Sequence, residues 1–388
     1  MGLPKILFNI ATTGLGLLSA NIQKTPGLVI TGVTVATKIT LGQSVQVFSL
    51  QDAADKGITA AENPFAYKHV QAFYNYAGNG AELWLMLVSD ATSMENMADK
   101  TMNYAKKLLG DANGRIRILG IVKESLGSEV IADGLDADVD KAAIKAQDLA
   151  EEAELNYFPI RVLISANSFN GTPAALKDYK TTAHNKVSLL ISNTDGAKDA
   201  SIGLALGRLA STPVQRNIGR VKDGPVEDTA AFFTNGATAQ SLSSAWDSIH
   251  DKGFIILRNF AGRSGFYFSD DPTLTAVSDD FRSLANGFVM DKALMIAYSS
   301  LIENLGDEVL VTDEGTIHPA IIKSWQNEVE TQLQGLMVAN GELSNARVYI
   351  NERQDVLTTG NMTVAIQLLP VGYAKYITVD IGFTTQIN

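Results

Sequence analysis

Residues 115–122 read RIRILGIV, an aliphatic run that reads as a strand. Beyond this run the pattern alternates: Val139–Leu155 is an Ala-rich helical stretch, IRVLISAN (160–167) a strand, Pro173–His184 a helix, KVSLLIS (186–192) a strand and Asp199–Leu209 a helix. Strand and helix in alternation predict a βαβ sheet with helices packed on it. Upstream, AELWLMLVSD (81–90) is a buried strand, and NPFAYKHVQAFYNYAGNG (63–80) sets Phe65, His69, Ala72, Phe73 and Tyr76 at helical spacing before Gly78 and Gly80 stop the helix. GLVITGVTV (27–35) is β-rich, and in QSVQVFSLQDAADKG (43–57) a strand gives way to a short helix starting at Ser49 or Asp52.

Downstream, Arg216–Asp228 is looser and marks a boundary, and KGFIILRNFAGRSGFYFSDD (252–271) reads as a hairpin. Two long helices come next. One runs from about Asp280 to Asn304; the other has Pro319 in its first turn, an apolar stripe at Ile322, Trp325, Val329, Leu333 and Leu336, and Gly341 at its stop. ARVYIN (346–351) is a strand, and the closing NMTVAIQLLPVGYAKYITVDIGFTTQIN (361–388) holds two more. Met362, Val364, Ile366 and Leu368 share one face of the first, and Ile377, Val379, Ile381 and Phe383 one face of the second. The start of the chain is strand-like as well, with Ile6, Phe8 and Ile10 alternating ahead of the flexible TTGLGLLSAN (12–21). The expected class is mixed α/β (α+β) and multidomain, without internal repeats.

The 388 residues exceed one ordinary domain, and 46% hydrophobic with 19% charged residues is a globular composition. No cysteine is present, so disulfides, iron–sulfur clusters and thiolate zinc sites are excluded. A net charge of −11 without a basic cluster argues against nucleic acid as a partner. No stretch reaches the roughly 18 uncharged apolar residues of a membrane span, and the first residues lack the pattern of a secretory signal. Synthesis in the cytoplasm, without membrane insertion, is the expectation.

Motifs for chemistry are sparse. Gly14 and Gly16 follow a strand, but Ser19 replaces the third glycine and the acidic residue of a dinucleotide fingerprint is missing, so a hinge is the better reading. No Walker loop or Gly-x-Ser-x-Gly elbow occurs. His69, His184, His250 and His318 are scattered and read as surface or helix-end histidines. Ser269-Asp270-Asp271-Pro272 reads as a surface turn rather than a cation loop, and Glu151 and Glu152 as a solvated helix face. No catalytic residue, metal ligand or cofactor is expected.

In their order, these features resemble the contractile tail sheath proteins of bacteriophages and related contractile injection systems over most of the chain. The matching stretches are GLVITGVTVATKITLGQSVQVFSLQDAADKG (27–57), AYKHVQAFYNYAGNGAELWLMLV (66–88), KGFIILRNFAGRSGFYFSDDPTLT (252–275), WQNEVETQLQGLMVANGELSNARVYIN (325–351) and GNMTVAIQLLPVGYAKYITVDIGF (360–383). Arg282 stands alone where the family has an Arg-rich helix start, and FYFSDD replaces an aromatic WG before Thr-Leu.

The resemblance implies a structural subunit that polymerises as stacked hexameric rings around a tail tube and contracts to drive the tube through a target envelope. Its implied partners are further copies of itself, the tail tube protein, and baseplate and tail terminator proteins, in a virion tail or injection particle assembled in the bacterial cytoplasm. In that family a C-terminal sheet is completed by terminal arms of neighbouring subunits. Carried onto this chain, the interlock falls on Ile6, Phe8, Ile10, Ile377, Val379, Ile381 and Phe383, with a hinge at Gly14 and Gly16. The expected division is an arm and hinge over 1–25, an outer α/β unit over 26–245 and a sheath core over 246–388. The alternative is a cytoplasmic α/β enzyme with a ligand at the carboxyl ends of the strands in 115–209.

Overall fold

The strand β1 (Pro26–Thr31) lies inside a seven-stranded sheet with β2 (Ser44–Val47), β3 (Leu83–Val88), β4 (Ile118–Val122), β5 (Arg161–Ser165), β6 (Val187–Leu190) and β7 (Phe254–Ile255), in the order β7-β6-β5-β4-β1-β3-β2. Every pairing is parallel except β2 with β3 at one edge. All residues of β1, β4, β5 and β6 are buried, as a parallel sheet covered on both faces requires. This computed structural model describes residues 24–378 except 314, 355 and 376.

Helices α1 (Leu50–Asp55), α2 (Pro64–Ala77), α3 (Met94–Ala98), α4 (Ala105–Asp111), α5 (Ala137–Leu155) and α6 (Ile202–Ala210) belong to this sheet. Ser49 caps α1 by accepting the Asp52 amide at 3.0 Å. On α5, Val139, Ala142, Ala143, Ala146, Leu149, Ala150 and Ala153 recur every three or four residues and are buried, which gives the helix its sheet-facing stripe. Helices α2 and α6 cross at backbone contact. A methyl group on Gly203 would lie 2.0 Å from the His69 carbonyl oxygen, and one on Gly207 2.5 Å from that of Phe73, so only glycine fits at the crossing.

Beyond the short helix α7 (Trp246–Asp251) and β7, Leu257–Arg258 pairs with Tyr267–Phe268 in the expected hairpin. The long helices α8 (Leu284–Ile302) and α9 (Pro319–Leu333) come after it, and Ile322, Val329 and Leu333 of the expected α9 stripe are buried. A π-turn, Gln334–Val338, extends α9 towards the antiparallel pair β8 (Leu343–Ile350) and β9 (Val364–Pro370). No described helix is long and apolar enough to cross a membrane.

Three readings change. Pro173–His184 is two 3₁₀ turns, Pro173–Ala175 and Tyr179–Thr181, and a two-residue strand pairing with Leu274–Thr275. His69 is 2% exposed and Asp271 fully buried, so neither is a surface group. Of the expected interlock and hinge, only Ile377 is among the described residues, and it is 79% exposed. Ile6, Phe8, Ile10, Gly14, Gly16, Val379, Ile381 and Phe383 lie outside them.

Candidate functional site

An enzyme of this architecture would bind its ligand at the carboxyl ends of the parallel strands. Here the polar groups at those ends bond to one another. Ser165 Oγ accepts the Ala200 amide at 2.7 Å, the Asn167 side-chain amide donates to Lys123 O at 2.8 Å, Asn193 donates to Ala197 O and Asp199 O at 2.8 and 2.7 Å, and Thr234 Oγ1 donates to Ala166 O at 2.7 Å. His69 Nδ1 accepts the Gly203 amide at 3.2 Å, which places the ring proton on Nε2, 3.5 Å from the Asp199 carboxylate. Burial holds the His69 pKa below its ordinary value. Lys68, 2.9 Å from Asp199, together with His69 outweighs the burial of that carboxylate and keeps it ionised. This is a web that ties α2 to α6.

The β8–β9 ribbon is open. Leu343, Ala346, Val348, Ile350 and Ile366 point inwards and are buried, while Tyr349 and Leu369 are 60% and 58% exposed. Two strands alone are marginally stable, and here α9 backs the inner face. The two outer edges differ. Val348 stands opposite Ile366 and Ala346 opposite Leu368. The Val348 amide donates to Glu330 Oε2 at 3.1 Å and the Ala346 carbonyl accepts from Gln334 Nε2 at 2.8 Å, so these backbone groups face away from β9 and side chains of the α9 segment cover them. In an antiparallel pair the residues opposite them also turn their backbone groups outward. The outward amides and carbonyls of Ile366 and Leu368 on β9 have no such cover among the described residues. One edge is sealed and the other is free to accept a strand.

A second constellation surrounds Asp270 and Asp271. The Asn217 side-chain amide bridges the two carboxylates, and Asp271 caps α8 by accepting the Leu284 amide on its carbonyl at 2.8 Å and the Ala285 amide on Oδ2 at 2.9 Å. Lys375 Nζ lies 2.5 Å and His250 Nε2 3.8 Å from Asp270 Oδ2. Burial raises the Asp271 pKa well above the carboxylate range, and the charge of Asp270 adds to that. For Asp270, burial is outweighed by Lys375, and its pKa is lowered. Locally the chain offers only an Asp doublet before proline, the pattern of a turn; its partners Asn217 and Lys375 lie 53 residues upstream and 105 downstream.

Where the described chain begins, Lys24 is buried, with Nζ donating to Thr212 Oγ1 and Pro213 O at 3.0 Å each and lying 5.2 Å from the Phe288 ring centroid. Burial lowers its pKa to about 7. Among the described residues, no group of three or more His, Cys, Asp and Glu side chains has the arrangement of a metal site.

Residues 3–272 match the family model described as DUF2586, N-terminal domain, and residues 280–388 match DUF2586, C-terminal domain. No curated protein matches the sequence. Among solved structures, the helical sheath of the anti-feeding prophage (AFP) in the contracted state is similar over 100% of both chains, with 15% identity and a TM-score of 0.64. The sheath complex of the extracellular contractile injection system PVC, also contracted, is similar over 100% of this chain and 98% of its own, with 14% identity and a TM-score of 0.62. A chain of the contracted AFP baseplate structure matches over 100% of both chains at 14% identity and a TM-score of 0.63.

Proposed function

Because this chain belongs to the DUF2586 family and has the fold seen in contractile sheath structures, we propose that it is the structural subunit of a contractile sheath. Copies stack as hexameric rings around a tail tube and, on contraction, drive the tube through a target envelope. The observation that carries this reading is the uncovered β9 edge beside a sealed β8 edge. A subunit built to receive one strand from a neighbour needs one accepting edge and one that refuses.

The strands offered to that edge are the chain's own alternating termini, Ile6, Phe8 and Ile10 at one end and Ile377, Val379, Ile381 and Phe383 at the other, with Gly14 and Gly16 as the hinge of the N-terminal arm. The arm spans 1–25, the outer unit 26–245 and the sheath core 246–388, with Phe254–Ile255 lent by the core to the outer sheet. Contraction requires no turnover: the extended polymer is kinetically trapped, and subunits rotate as rigid bodies towards the deeper minimum while the arms keep them linked. The further partners are the tube, baseplate and terminator proteins of a phage tail or injection particle assembled in the bacterial cytoplasm.

Electron microscopy of the purified chain tests this directly. Tubes or stacked rings are expected from the full chain, and folded, unassembled subunits from a variant lacking residues 1–12. A full chain that stays a compact monomer alone and with its tube protein would overturn the reading.

A further inference from the structure

A cleft of about 1050 Å³ lies between α7, the Arg216–Val221 stretch and the segment that leaves β9. It is larger than most small-molecule sites, which run to roughly 1,000 Å³. Val371–Lys375 already form one of its walls, held by the Tyr373 hydroxyl donating to Gln215 O and by Lys375 on Asp270. Ile377 stands at its rim, 79% exposed.

We propose that this cleft is an intramolecular docking site for residues 379–388, occupied while the subunit is unassembled and vacated when the segment crosses to a neighbour. The inference rests on the sheath reading above and specifies how that assembly is held in check. Continuity supports it first, since the segment starts at the rim. Its pattern supports it second: Val379, Ile381 and Phe383 continue the alternation of Ile377, and Trp246, Ile256 and Phe260 give the cleft apolar lining. Charge supports it third. Asp380 is the one acidic residue in 379–388, and Arg258 in the cleft has no carboxylate partner among the described residues. The Arg258 guanidinium stacks 4.4 Å from the Phe260 ring centroid, and its buried Nε has no acceptor among the described residues. A free strand edge and an exposed apolar strand on one subunit would pair indiscriminately, and docking in cis hides the second until the first is presented by a neighbour.

Hydrogen exchange on the full chain, kept dilute and unassembled, tests the proposal. Amides of residues 379–388 are expected to exchange about tenfold or more slowly than in an unstructured peptide of the same sequence. Arg258→Glu and Asp380→Arg should each abolish that protection and shorten the lag before assembly, and the double reversal should restore both. Free exchange in the wild-type monomer, protection that grows with concentration as a second copy's segment would give, or a double reversal that restores nothing would overturn it. Protection without tubes would sink the sheath reading and leave the docking site, and tubes without protection would do the reverse.

Discussion

Arg161 at the start of β5 and Asp291 in α8 form a buried, two-point ion pair, with Nε to Oδ2 at 2.8 Å and Nη2 to Oδ1 at 2.5 Å. They are 130 residues apart and join the part of the chain that matches the N-terminal family domain to the part that matches the C-terminal one. Arg161 also donates to Asn185 O at 3.1 Å and Gly287 O at 3.3 Å, and a methyl group on Gly287 would lie 2.7 Å from the guanidinium carbon, so α8 is seated against this side chain. The pair therefore forms a seat that fixes α8 against β5.

Removing one partner strands a buried charge. Arg161→Ala or Asp291→Ala should each lower unfolding stability by about 3–5 kcal/mol, whereas Arg161→Met with Asp291→Leu should recover much of the loss by packing. Denaturant titration of the three variants checks this, and single variants within about 0.5 kcal/mol of wild type would show that the pair is not a seat.

At the α2–α6 crossing the constraint is steric. Gly203→Ala puts a methyl group into the His69 carbonyl and should cost about 1–3 kcal/mol or more through backbone displacement, while Gly110→Ala, with open space around it, should be close to neutral. Equal midpoints for the two variants in thermal unfolding would refute the contact.

Much of this was readable beforehand because it rests on local pattern. The buried strands announce themselves as aliphatic runs, and β9 by alternation at Val364, Ile366 and Leu368. Pro173–His184 misleads because Leu176 and Tyr179 have helical spacing, yet Asp178 Oδ1 accepts the Lys180 amide at 2.9 Å and the Thr181 and Thr182 hydroxyls donate to the Asp178 and Tyr179 carbonyls at 2.7 and 2.9 Å. Short polar side chains there take the bonds a helix would need. The buried His69 and Asp271 and the sealed β8 edge stayed hidden for another reason: their environments are made by residues distant in sequence, and no local periodicity reports a tertiary neighbour.

Asp271 makes a signed pH prediction. Its charged neighbours are Asp270, Lys375 and Lys24, and its net pKa is raised, so between the unfolded value near 3.9 and the raised native value the native state binds the extra proton. Its contribution therefore favours folding at the acid end of that window and is lost as pH rises through the native pKa. Asp271→Asn keeps an acceptor for the Ala285 amide but sets its own amide against the Asn217 amide that Asp271 Oδ1 accepts, so it should lose about 1–3 kcal/mol while giving a flatter stability profile from pH 4 upward. A steeper profile, or a large loss confined to neutral pH, would contradict the assignment.

The two edges of the ribbon can be separated by proline, because proline removes a single backbone donor. The Leu368 amide points outward on β9 while its side chain packs inward, so Leu368→Pro deletes a donor unused among the described residues and should cost roughly 1–2 kcal/mol of packing while blocking strand addition. Gln367 pairs with Arg347 inside the ladder, so Gln367→Pro should break the ribbon itself and lose several times more stability. Glu330→Ala uncovers the Val348 amide on the opposite edge and should add irregular aggregates to the tubes expected of the proposed sheath, since two accepting edges permit wrong pairings. Circular dichroism with electron microscopy distinguishes the three outcomes. If Leu368→Pro folds and still forms full-length tubes, the neighbour's strand does not enter at β9, and the openness of that edge has another cause.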